Sequence, residues 1–263
     1  MNGVFAQGER ALFVDPKDRR YLATLSEKGE FHTHAGVVSH DAVIGKLPGV
    51  SVQSTKGTYY VVIRPTLEDF VLEMPRGAQV IYPKDLAPIL MLADVSPGVH
   101  VFETGVGSGA MSMTLLRAGA RITGYEIRED FAARATSNVR SFLGAEALDR
   151  YDVVVRDSYA GIDVPEQSRF DRMILDLPEP WHVVERAPEV LVAGGIVVAY
   201  TPSITQAHQV REAFERHRHG WIEQRTLEVL HRTWHIEGQS VRPDHRMVAH
   251  TGFLTTARLI ATR

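Results

Sequence analysis

Residues 98–126 read GVHVFETGVGSGAMSMTLLRAGARITGYE. The apolar run Val99 to Phe102 ends at Glu103, a Gly-x-Gly-x-Gly turn (Gly105, Gly107, Gly109) follows, and Ala110 to Arg117 then has helical character. A second apolar run stops at Glu126. Strand, glycine turn, helix and a second strand with an acid at its tip form the unit with which parallel α/β sheets hold an adenosine cofactor. Backbone without Cβ turns sharply and lets a ligand lie directly against it. A carboxylate at the end of the next strand can accept both ribose hydroxyls. The turn alone does not choose the cofactor, because Gly105 to Ala110 also fits the looser G-x-G-x-x-G/A pattern of nicotinamide enzymes.

Three further acids point to S-adenosylmethionine. That molecule carries an ammonium and a sulfonium, so its pocket calls for carboxylates, whereas a dinucleotide calls for donors to pyrophosphate. Glu103 sits beside the turn, Asp157 follows the apolar run Val153 to Val155, and Asp176 ends the run Met173 to Leu175. With Glu126 they fall at the carboxyl ends of successive strands, where open α/β sheets bind ligands. The blander role for each acid is to cap the helix that follows it.

The chain has 263 residues, 44% hydrophobic and 23% charged, a length for one large domain or one domain with a smaller companion. It has no cysteine, so neither disulfides nor thiolate chemistry contribute, and a cytoplasmic location is compatible with that. The start, MNGVFAQGER, lacks a basic stretch followed by an apolar core, and no apolar run reaches the roughly 18 to 20 residues of a membrane span. The net charge of −3 argues against a uniformly basic nucleic-acid binder. Yet residues 201–263 carry nine arginines against six acids and seven histidines besides, a modest positive surface able to meet phosphates.

Residues 1–72 behave differently from the rest. Short apolar runs (Ala11 to Val14, Tyr21 to Leu25, Val50 to Val52, Tyr59 to Ile63) alternate with turn signals such as Asp15-Pro16, Lys28-Gly29, Pro48-Gly49 and Lys56-Gly57. This predicts a small N-terminal β-barrel or meander. Within it, FHTHAGVVSHD places His32 and His34 on one face of a strand, near His40 and Asp41. No third ligand has convincing spacing, so no metal is expected. A linker, 73–85, precedes a helix from Leu86 to Ala93, and 86–263 form the cofactor domain. Strands end near 102, 125, 155, 175 and 200, with helices at Ala110 to Arg117, Asp130 to Phe142, His182 to Leu191 and Thr205 to His217. Ile222 to Leu230 and Val248 to Ala261 are expected to complete the sheet as an antiparallel pair. The alternation predicts a doubly wound, mostly parallel sheet.

After the glycine turn, the most informative stretch is LDLPEPWHVV, residues 175–184. Pro178 and Pro180 stiffen the backbone directly after a strand and present Asp176, carbonyls and Trp181 at a fixed spot. Methyltransferases acting on a nitrogen of a base resemble this arrangement.

The chain as a whole resembles the bacterial and archaeal tRNA (adenine-58-N1)-methyltransferases, which are similar to the catalytic subunit of the eukaryotic enzyme. The resemblance is carried by FHTHAGVVSHDAVIG, RGAQVIYPKD, ETGVGSGAMS, LDLPEPW and HTGFLTTARL. Departures are Gly252, where the family usually has alanine, and Val106, often threonine or alanine; neither removes a functional group. The resemblance implies a small β-domain joined to a class I methyltransferase domain, assembled as a homotetramer that acts on the T-loop of tRNA. It implies cofactor contacts at Gln79, Tyr82, Val106, Gly107, Ser108, Gly109, Glu126, Phe131, Asp157 and Asp176, beside Glu103 and Gly105 read from the motif. Tyr82 and Asp176 are the family's positions next to the target base. The glycine turn and acids by themselves leave open another RNA, a small-molecule acceptor or a non-catalytic subunit.

Overall fold

The computed structural model describes residues 3–77, 79–164, 169–216 and 220–261, and the chain divides into two units between Pro75 and Arg76. In the first, strands β1 (Arg10–Val14), β2 (Arg20–Thr24), β5 (Val50–Gln53) and β6 (Tyr59–Ile63) pair antiparallel in the order β2-β1-β6-β5. A hairpin of β3 (Glu30–Thr33) and β4 (Gly36–Ser39) contributes Phe31, whose ring stacks on Phe13 at 4.4 Å and meets Tyr60 edge-on at 5.7 Å. His34 falls in the turn after β3, so the two-histidine strand face expected from the sequence does not form. Helix α1 (Leu67–Glu73) runs past residue 72, started by a reciprocal capping box between Thr66 and Asp69.

The second unit opens with helix α2 (Pro83–Leu92), whose first residue is a proline suited to that position. The sheet then grows by strict alternation: β7 (His100–Thr104), α3 (Ala110–Arg117), β8 (Arg121–Glu126), α4 (Glu129–Leu143), β9 (Tyr151–Val155) and β10 (Phe170–Leu175). Helix α4 forms because Ala132, Ala135 and Val139 recur on one face and are buried. In place of one helix from His182 to Leu191 there are two short ones, α5 (Trp181–Val184) and α6 (Ala187–Val190). Pro188 has no N–H to continue the ladder and its ring opposes the carbonyl four residues earlier, so the helix breaks. Leu191 already belongs to β11 (Leu191–Thr201).

Helix α7 (Ile204–Arg216) follows, burying Ala207, Val210, Ala213 and Phe214; His217, expected at its end, lies outside the described residues. Then come β12 (Trp221–Glu228), β13 (Trp234–Glu237), β14 (Ser240–Pro243) and β15 (Phe253–Leu259). The separate hairpin β13-β14, turning at Gly238-Gln239, was not expected from the sequence; the long strand from Val248 begins only at Phe253. Among the described residues the sheet has seven strands in the order β12-β15-β11-β10-β7-β8-β9, parallel except that β15 runs antiparallel to both β11 and β12. The chain leaves β7 toward β8 and β9 on one side and returns to β10 on the other, which makes the carboxyl ends of β7 and β10 the switch point. No helix of the described residues is long and apolar enough to cross a membrane.

The core at the amino ends of β7 and β10 is aromatic. Phe170 is fully buried, 5.1 Å from the Phe102 ring and 4.7 Å from His100. Phe170→Ala should cost about 3–5 kcal/mol of unfolding free energy in a urea titration. A cost below about 1 kcal/mol would show that the ring packs elsewhere.

Candidate active site

The glycine turn and the proline-rich loop meet at the switch point, since Glu103 and Thr104 of β7 pair with Ile174 and Leu175 of β10. Gly105 adopts φ +81°, and a Cβ there would lie 1.9 Å from the Asp176 carbonyl oxygen. Only glycine permits that approach. The Asp176 N–H in turn donates to the Thr104 carbonyl at 3.0 Å. Farther along, the Glu179 N–H donates to the Tyr159 hydroxyl at 3.1 Å and Gln206 Nε2 to the Pro178 carbonyl at 2.9 Å. These bonds and the two prolines fix the loop.

The four acids stand at or just beyond the ends of β7, β8, β9 and β10, which are neighbours in the sheet. Glu126 Oε2 accepts from the Gly107 N–H at 2.8 Å and Oε1 from the Arg128 N–H at 3.0 Å, which leaves further lone pairs on each oxygen. Glu103 is buried; its Oε2 accepts from Ser112 Oγ at 2.7 Å, and Ser112 accepts from the Tyr151 hydroxyl at 2.9 Å. Burial first, then the charges of Asp176 and Glu126, push the Glu103 carboxyl up to about 8 against the pull of Ser112. Asp176 is pushed up to about 7, by burial and then by Glu126. Glu103 Oε1 and Ser108 Oγ are buried without a hydrogen-bond partner among the described residues. Orphaned acceptors beside a turn, with carboxyl groups that repel one another, fit a polar cation.

The remaining expected residues divide. Val106 is buried and its side chain packs over Gly124, so only its backbone faces the turn. Gly109, at φ +84°, starts α3, where Asn138 Nδ2 donates to the Ser108 carbonyl at 3.0 Å. The Phe131 ring carries the Arg128 guanidinium 3.7 Å above it. Asp157 Oδ1 accepts from the Tyr159 N–H at 2.8 Å and so also caps the following turn. Gln79 is exposed, and the neighbouring Ala78 lies outside the described residues. Tyr82 is half-buried at the N-cap of α2. Trp181 packs against the core and donates from Nε1 to His182 Nε2 at 3.2 Å. Among the described residues no three His, Cys, Asp or Glu are grouped to hold a metal.

Sequence reasoning missed Ser112 and Tyr151, which hold Glu103, and Tyr200, whose hydroxyl burial and then the charge of Asp85 push up to about 12, with Asp176 and Tyr82 also acting on it. Ile127, directly after Glu126, is an exposed apolar residue, 66% accessible.

A family model described as "tRNA methyltransferase complex GCD14 subunit" matches residues 58–242, and one described as "TrmI-like N-terminal" matches residues 3–52. The chain belongs to this tRNA methyltransferase family. Among family relatives, the tRNA (adenine(58)-N(1))-methyltransferase TrmI of Thermus thermophilus is 36% identical over 250 residues, covering 94% of this chain and 95% of that one. The structure of the tRNA (m1A58) methyltransferase TrmI of Aquifex aeolicus superposes with a TM-score of 0.84 at 30% identity, over 98% of this chain and 100% of that one. A Thermotoga maritima structure described as an S-adenosylmethionine-dependent O-methyltransferase gives 0.91, also at 30% identity, over 99% and 96%. Class I methyltransferase architecture with an N-terminal β-domain, and S-adenosylmethionine dependence, follow from membership.

Because Glu103 holds its proton up to about pH 8 in the folded chain, against an ordinary value of 4.5, the folded state binds that proton more tightly than the unfolded one. Its stabilising contribution is therefore full below about pH 4.5 and is lost as the pH rises through about 8. Relative to Glu103→Gln, the wild type should lose on the order of a few kcal/mol between pH 5 and pH 8 in urea unfolding. Parallel curves would show that the carboxyl is ionised in the fold.

Proposed function

We propose that this chain transfers the methyl group of S-adenosylmethionine to N1 of adenine 58 in the T-loop of tRNA. The observation that carries the reading is the backbone contact of Gly105 with Asp176, which sets a cofactor turn and an acid of the proline-stiffened loop side by side. The relatives' names support the acceptor. Glu126 would take the ribose hydroxyls on its remaining lone pairs, and Ile127 would cover the adenine of the cofactor. Glu103 and Ser108 would meet the amino acid moiety with their unpartnered oxygens. The backbone of Gly105 to Gly109 lines the approach, with Gln79, Phe131 and Asp157 around the rim.

S-adenosylmethionine supplies an electrophilic methyl group on a sulfonium. Adenine N1 already has an in-plane lone pair, so the chain need not create a nucleophile; it has to aim one. An ionised Asp176 would accept a hydrogen bond from the N6 amino group and stabilise the positive charge that methylation places on the ring. Its pKa near 7 in the free site falls when a cation sits beside it, so the ligand itself favours the charged form. N1 lies on the pairing edge of the base, which must therefore swing out of its stack. Tyr82, half-buried at the N-cap of α2, would stack on it, whereas Trp181 packs partly buried against the core.

The hairpin β13-β14 supports assembly with further copies, as a homotetramer. Its register puts Trp234, Ile236 and Val241 on one face, 56%, 73% and 60% exposed. An isolated two-stranded hairpin is marginal in water, and an apolar face on it calls for cover. A tRNA substrate supports a cytoplasmic location.

Asp176→Ala, provided its fold and cofactor affinity survive, should lower kcat on tRNA by about 100-fold or more; near-normal turnover of such a variant rejects the assigned acid. Glu126→Ala should raise the calorimetric Kd for S-adenosylmethionine about tenfold or more. Mass spectrometry of treated tRNA should find 1-methyladenosine at position 58; label found elsewhere redirects the acceptor assignment.

A further inference from the structure

Beyond the cofactor residues the second unit buries a charged pair for which the reaction has no direct use. Lys84 and Asp85 open helix α2, and their side chains are only 5% and 0% exposed. The Lys84 ammonium spends its three donors on Asp85 Oδ1 at 2.9 Å, the Val229 carbonyl at 2.7 Å and Thr251 Oγ1 at 2.5 Å. The Thr251 hydroxyl gives its own proton to Asp85 Oδ2 at 2.5 Å. The ring of bonds is closed and every ammonium donor is used.

Its members lie far apart in the sequence. Val229 and Thr251 are the two feet of the segment that carries β13 and β14. A neighbouring tie reinforces them, since His250 bridges Glu228 at 2.7 Å and the Pro202 carbonyl at 2.8 Å. The Thr251 carbonyl accepts from the Tyr200 hydroxyl at 2.7 Å. On the other side, the carbonyl of Tyr82 accepts from the N–H groups of Asp85 and Leu86 at 2.8 and 3.0 Å. One network therefore joins the backbone of Tyr82, the hydroxyl of Tyr200 and both feet of the arm.

We infer that Lys84, Asp85 and Thr251 are positioning residues for the acceptor side of the site, setting Tyr82 and Tyr200 relative to Asp176 without touching the cofactor. Desolvating an ion pair costs several kcal/mol, and apolar residues of similar volume often hold a fold equally well. What the apolar alternative lacks is direction: three aimed bonds fix where the first turn of α2 and the arm's feet stand. The inference rests on the proposed placement of Tyr82 and Asp176 against the target base.

Thr251→Val keeps the shape of the side chain and removes only the hydroxyl that joins the pair to the arm. With full-length chain and tRNA, kcat at saturating substrate should fall about 10- to 100-fold. The Kd for S-adenosylmethionine should stay within about twofold, and Thr251→Ser, which restores the hydroxyl, should recover most of kcat. An unchanged kcat in a wild-type-competent assay overturns the inference alone. So does a cofactor Kd that rises in step with the loss of rate, or a Thr251→Ser variant as slow as Thr251→Val. A wild-type chain that forms no 1-methyladenosine overturns the acceptor reading and this one with it. Should Thr251→Val not fold, the apolar triple Lys84→Met, Asp85→Leu, Thr251→Val takes its place under the same criteria.

Discussion

Two stretches of backbone, 71 residues apart, come together where Gly105 faces the Asp176 carbonyl, with no room for a Cβ between them. Everything chemical in the second unit depends on that approach. It requires β7 and β10 to be neighbours, and it puts the switch point of the sheet at the one place where a glycine turn and a stiff loop can share a ligand. Any residue other than glycine would push the loop away, and with it the carboxyl that follows the strand.

The same closeness crowds carboxyl groups. Burial, then the charges of Asp176 and Glu126, make Glu103 reluctant to ionise, and burial, then Glu126, does the same for Asp176. Structure elsewhere offsets part of the cost: Glu126 accepts two backbone N–H groups, and Glu103 is held by the relay from Tyr151 through Ser112. No arginine or lysine forms an ion pair with these three among the described residues, so the compensation of Glu103 and Glu126 comes from neutral donors. A ligand bearing positive charge relieves what the fold leaves uncompensated.

Much of this was legible in the chain because its signals are local. The glycines of the turn, the helix limits Ala110 and Arg117, and an acid at the end of each of four apolar runs all lie within short windows. The errors came where a local signal was outweighed or weak. Pro188 split a helix whose apolar spacing looked continuous. The hairpin β13-β14 had its turn signal at Gly238-Gln239, but the strands are only four residues each and their apolar side chains face outward, against the usual pattern. Ser112, Tyr151 and Tyr200 gain their roles only from contacts that chain folding creates, and no spacing rule announces them.

The ties of Lys84 span 145 residues to Val229 and 167 to Thr251, whereas the glycine turn and Glu126 lie within one strand-helix-strand unit. Closing a long loop is entropically unfavourable until other contacts have brought its ends together. The glycine turn and Glu126 therefore close a short loop, whereas the ties of Lys84 close long ones and carry the larger entropy cost of closure.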